Sequence, residues 1–157
     1  MLEPEDLQDF TSAGAMNSVL VEVQHQRVVP GRDGLFTATR HISLISALIT
    51  RFSGDAQYLS EHAVDRTVHA LTAACRPLAA AQLHYAYALN VLVMLHATST
   101  DTQEREGELY RHLDGAVKSL DDARVALFQS PNDTPPPSRG PAAAPAQAAC
   151  TSTHRKR

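Results

Sequence analysis

Three side chains of this 157-residue chain are spaced as a metal site would be: His62, Asp65 and His69. Spacings of three and four put them on one face of a helix, and two imidazoles with a carboxylate suit zinc or iron. A metal-dependent enzyme using this set is one reading. Glu61 and Arg66 lie in the same stretch, so it also reads as an ordinary solvated, ion-paired surface. A ferritin-like di-iron bundle is excluded more firmly. It needs two Glu-x-x-His pairs on two helices and a glutamate from each of two others, and Glu22-x-x-His25 is the only such pair here.

His84, Tyr85, Tyr87 and Asn90, with His96, are the polar groups of an otherwise apolar run. Ligand pockets are mostly apolar with a few placed polar groups, so His84, Tyr85, Tyr87 and Asn90 are candidates to line a small-molecule site. The alternative is structural, with each group hydrogen-bonded inside the core or placed at a helix end. Nucleophilic catalysis finds no support. No Gly-x-Ser-x-Gly elbow occurs, and Cys75 falls on an apolar helix seam. Pro30-Gly31-Arg32-Asp33-Gly34 lacks the lysine of a phosphate loop. No catalytic residue is assigned, no cofactor is expected, and a non-enzymatic protein is favoured over an enzyme.

The elements that would position these residues are helical. Aromatics make up 5% of the chain and tryptophan is absent, so the core must come from Leu, Val, Ile and Ala. The first helix is expected over about 4–28, with Pro4 in its first turn and Gly14 weakening its middle. Val19, Val21 and Val23 alternate as a strand would, but no second alternating run is available to pair with them. A second helix over 35–52 rests on Leu35, Ala38, Ile42, Ile45, Ile49 and Phe52, with Gly54 as its stop. A third, over 56–74, has Val64, Val68, Leu71 and Cys75 as its seam. Pro77 should kink or turn the chain.

The next run, 78–97, has no charged residue between Arg76 and Asp101. A helix without a polar face should be surrounded, so this one is expected at the centre. Its length would also span a bilayer, but Gln82, His84 and Asn90 interrupt it and a buried core helix is favoured. A last helix starts near Thr100 or Asp101, with Glu104 at capping-box spacing. Leu109, Leu113, Ala116, Leu120, Ala123 and Leu127 carry its seam, and it ends at Phe128.

The expected fold is all-α: a four- or five-helix antiparallel bundle over residues 1–129, followed by a disordered Pro/Ala-rich tail over 130–157. The tail carries Arg139, Arg155, Lys156 and Arg157 against Asp133, a net +3, leaving −6 on residues 1–129 of a total of −3. An acidic body is a poor nucleic-acid surface. The basic end, 154–157, reads as a solubilising terminus. The start is acidic and does not resemble a secretory signal. Cys75 and Cys150 lie far apart with one in the tail, which suits a reducing compartment and leads to a cytoplasmic expectation. Twelve arginines against Lys118 and Lys156, with abundant alanine, suggest a GC-rich bacterial genome. The leading functional expectation is an interaction protein that self-associates or docks a protein partner. The alternative is a small-molecule-binding or sensor bundle with a pocket beside the apolar helix.

Overall fold

A computed structural model describes residues 2–62, 65–97 and 102–128. The expectations that fell on Val64, Thr100, Asp101, Cys150 and the 130–157 tail lie outside the described residues. Within them the protein is all-α. A 3-10 turn at Glu5–Asp9 precedes α1 (Ser12–His25), α2 (Arg32–Ser60), α3 (Asp65–Ala97) and α4 (Thr102–Phe128).

The first expected helix is two pieces. Thr11 stays extended, and its hydroxyl accepts a bond from the Gly14 N–H at 3.1 Å. Gly14 therefore lies in the capped first turn of α1 rather than weakening a longer helix. The Val19–Val23 run is helical: Val19 and Val23 are buried one turn apart and Val21 is exposed. Gly34 opens α2 against the chain that precedes it. A Cβ at this position would stand 1.8 Å from the Val29 carbonyl oxygen, so only glycine fits.

Gly54 does not stop α2, and the expected third helix does not exist as a separate element. Phe52 and Ala56 are buried on either side of Gly54, while Gly54 itself is exposed. A single interior glycine costs about 1 kcal/mol, which the burial of Phe52 and Ala56 offsets. The chain turns instead around Glu61 and His62. Pro77, expected to interrupt, lies inside α3. It removes one bond, to the Ala73 carbonyl, while Leu71, Ala74, Leu78 and Ala81 stay buried on both sides and carry the helix through.

Three long helices run antiparallel. Ser53 faces Cys75 at 3.8 Å, Gln82 donates to Ser46 at 2.9 Å, and His41 meets Tyr85, so numbers rise on α2 as they fall on α3. Arg105 donates to the Met94 carbonyl at 3.3 Å and His112 lies by Tyr87, which gives the same relation between α3 and α4. The core is the expected aliphatic one. Leu44, Ile45, Leu48, Leu71, Leu78, Leu92, Leu109 and Leu120 are fully buried, with Phe52 and Tyr85 among them.

The apolar half of α3 lies between α2 and α4 but is not surrounded. Leu83, Tyr87, Val93 and Met94 are about half exposed, so the expectation of a fully covered central helix is corrected. The inward face is alanine-rich at Ala74, Ala81 and Ala88, which lets the flanking helices approach closely and leaves the far side open.

Two arginines on α2 hold the N-terminal segment. Arg40 donates to the Leu2 carbonyl and pairs with Glu22 at 3.0 Å and Glu3 at 3.7 Å. Arg51 donates to the Leu7 and Phe10 carbonyls, and its Nε lies 3.5 Å from Asp55, which accepts from Ser12 at 2.9 Å. Leu7 is thereby pressed into the core.

Candidate functional site

The four residues expected around a pocket point in three directions, because neighbours on a helix are about 100° apart. Tyr85 points inward and is 2% exposed. Its ring meets the edge of His41 with centroids 5.1 Å apart and planes at 74°. Burial raises its phenol well above the usual tyrosine range, so it stays protonated at any physiological pH. His84 turns toward α4, over Gly115, where a Cβ would stand 2.6 Å from the ring. The His84 Nδ1 is buried without a hydrogen-bond partner.

Tyr87 is half exposed and stacks on His112 at 5.2 Å, and the His84 ring lies 6.0 Å from the same His112. Asn90 is exposed on the outer side of α3. The structure thus gathers His84 and Tyr87 around His112 and leaves Tyr85 and Asn90 apart from them.

The metal set is not assembled among the described residues. His62 and His69 are both exposed, and the Asp65 side chain lies outside the description. His62 is engaged locally: its Nδ1 donates to the Tyr58 carbonyl at 2.7 Å and its ring packs 4.5 Å from Tyr58. Among the described residues no three His, Cys, Asp or Glu side chains converge as metal ligands would.

Two surface features are built by the packing. The first is an open groove of about 940 Å³ between α1 and α4, with Tyr85 in its lining. Leu20 and Val23 line the α1 side, Leu113 and Val117 the α4 side, and charges of both signs, Arg27 and Lys118 with Asp114 and Asp121, stand around it. Tyr85 alone of the four expected residues lines this groove.

The second feature is the outer face of α3. Ala79, Leu83, Ala86, Asn90, Val93 and Ala97 are all exposed, at spacings of 4, 3, 4, 3 and 4. Leu83 is 54% exposed, Val93 50% and Tyr87 49%. An apolar stripe at this period is the mark of a helix that packs against another helix, and α2 and α4 already occupy the two other sides. Isolated exposed apolar residues are ordinary; a continuous row without charge on one helix is not.

Sequence reasoning missed the buried charged and polar groups on α2. Arg40 and His41 are buried, and neither ring nitrogen of His41 has a partner. Burial, and then the neighbouring Arg40 charge, lower the His41 pKa from 6.5 to about 4. A signal existed: His41 precedes Leu44, Ile45, Leu48 and Phe52 by three, four, seven and eleven residues, which puts it on their face. No protein family, no characterised protein and no solved structure matches the chain.

Proposed function

We propose that the protein is a non-enzymatic interaction module that docks a protein through the outer face of α3. One observation carries this reading: the exposed, uncharged 4-3-4-3-4 row from Ala79 to Ala97 on the apolar half of α3. Covering it would remove Leu83, Tyr87 and Val93 from water, at about 25 cal/mol for each Å² of apolar surface buried. The finer picture is an antiparallel bundle, working in the cytoplasm, whose fourth side is supplied by the partner. A Cys75 thiol lying against Ser53 suits such a reducing setting.

By length and composition α3 could also cross a membrane. A protein partner is preferred because α2 and α4 lie along two sides of α3. Insertion would draw Arg40 of α2 and Glu108, Arg111 and Asp114 of α4 into lipid, at a cost of several kcal/mol for each charge.

Site-specific photocrosslinking in the producing cell tests the proposal. A photoreactive phenylalanine at position 87 should give a covalent protein adduct, and the same probe at Tyr58, which is more exposed and lies on α2, should not. Equal labelling at both positions, or none at 87, removes the proposal.

A second reading, a small-molecule site, is favoured by the groove. Tyr85 lines it although the residue is almost fully buried, and no described residue hydrogen-bonds its hydroxyl. A phenol in that position is available to a ligand. Native mass spectrometry of protein from its host would reveal such a ligand, and Leu113→Trp, which fills the groove, should abolish its binding.

A further inference from the structure

The outer face of α3 does not suit every helix equally. We infer that its occupant is a second copy of this chain, packed antiparallel about a two-fold axis through Asn90. The inference rests on the docking role proposed above and names its partner.

Three features favour self-pairing. The first is charge. The row itself is uncharged, with Arg76 exposed at its foot and Arg105 of α4 donating to the Met94 carbonyl near its other end. A copy laid against it presents the same uncharged row to the contact. In the antiparallel arrangement the two Arg76 side chains fall at opposite ends, about 40 Å apart from the helical rise of 1.5 Å per residue. A parallel arrangement would place them side by side.

The second is size. With Asn90 on the axis, a residue k places after it faces the one k places before it. Ala97 then faces Leu83 of the copy, and Met94 faces Ala86 of the copy. Leu83 and Met94 each meet an alanine, which lets the two helices pack closely there. Val93 meets Tyr87 of the copy, a β-branched side chain against an aromatic ring.

The third is the polar group itself. Asn90 is exposed at the middle of an otherwise apolar row. Buried in an interface, it needs a partner that both donates and accepts. The same amide related by the two-fold axis supplies both, whereas any other apolar helix would have to carry a matching polar group at that level. A single Asn within an apolar helix seam is a known device for setting register and partner number.

Sedimentation equilibrium of the purified full chain, from about 1 to 200 µM, tests this. The chain should approach twice its 17.0 kDa mass as concentration rises. Leu83→Asp places a charge on the row and should weaken association at least tenfold without loss of helical circular dichroism, because Leu83 is 54% exposed and lies outside the buried core cluster. Asn90→Asp puts two carboxylates on the axis. It should be a monomer at pH 7 and recover association below about pH 4, where one carboxylate takes a proton.

A monomer at every concentration overturns the inference, as does an association that Leu83→Asp leaves unchanged. The inference and the docking role fail separately. A monomeric chain whose position 87 still crosslinks to a different protein, to the 130–157 tail or to lipid loses the second copy. In the first of these cases the docking role stands; a crosslink to tail or lipid, or no adduct at all, ends both.

Discussion

His41 holds a ring in the core that neither nitrogen anchors, and the cost shows in its titration. Its folded pKa, about 4, lies below the unfolded value of 6.5. Between those values the unfolded chain takes up a proton that the folded chain refuses. Stability therefore falls as pH drops from 6.5 toward 4, by about 1.4 kcal/mol per unit and roughly 3 kcal/mol in all. Above pH 6.5 the group has no effect. Urea unfolding at pH 4.5 and pH 7 should show this loss, and His41→Phe, which keeps an aromatic edge against Tyr85, should remove most of it. An identical slope in the variant would assign the acid sensitivity elsewhere. The residue was legible by its spacing from Leu44 and Ile45, but a histidine carries no mark in sequence of whether it is buried for packing or exposed for chemistry. Arg40 and Arg51 were less legible still, because besides carboxylates they hold main-chain carbonyls, which every residue has.

Among the elements, periodicity found the buried faces and missed the breaks. The seams on α2 and α4 lie where the 3,4 spacing puts them, since that spacing follows from the helical turn itself. Gly54 and Pro77 misled because their cost is local, a few kcal/mol at most, while the packing that overrides it comes from residues dozens of positions away. The four candidate site residues on α3 fared unevenly for a related reason. Closeness in sequence on a helix scatters side chains around its axis, so His84 and Tyr87 reach α4, Tyr85 reaches α2, and Asn90 reaches neither. Two glycines separate these effects. Gly54→Ala meets open space and should stabilise α2 by about 0.5–1 kcal/mol. Gly115→Ala meets the His84 ring and should destabilise, despite the same gain in helix propensity. Thermal unfolding of the two variants should move in opposite directions.

At the scale of the whole molecule, the general class was readable and the exposure was not. Composition and spacing give all-α, but a stretch without charge looks the same whether its cover comes from its own chain or from another. The long helices α2, α3 and α4 are consecutive and each packs on its neighbour, while α1 touches α2 and α4 lightly and depends on Arg51 and Asp55 to hold its start. Such an order gives the molecule a temporal layering. Contacts between consecutive antiparallel helices close short loops and form early, while α1 and the segment before it have less to gain and should dock last. Amide exchange in the native state should then be slowest in the middle of α3, intermediate in α2 and α4, and fastest in residues 2–25. The arginine clasp would act as a latch on the slowest-joining part of the chain. Arg51→Ala should quicken exchange in residues 2–25 while α3 keeps its protection, so that this N-terminal segment opens and closes on a molecule that otherwise stays folded.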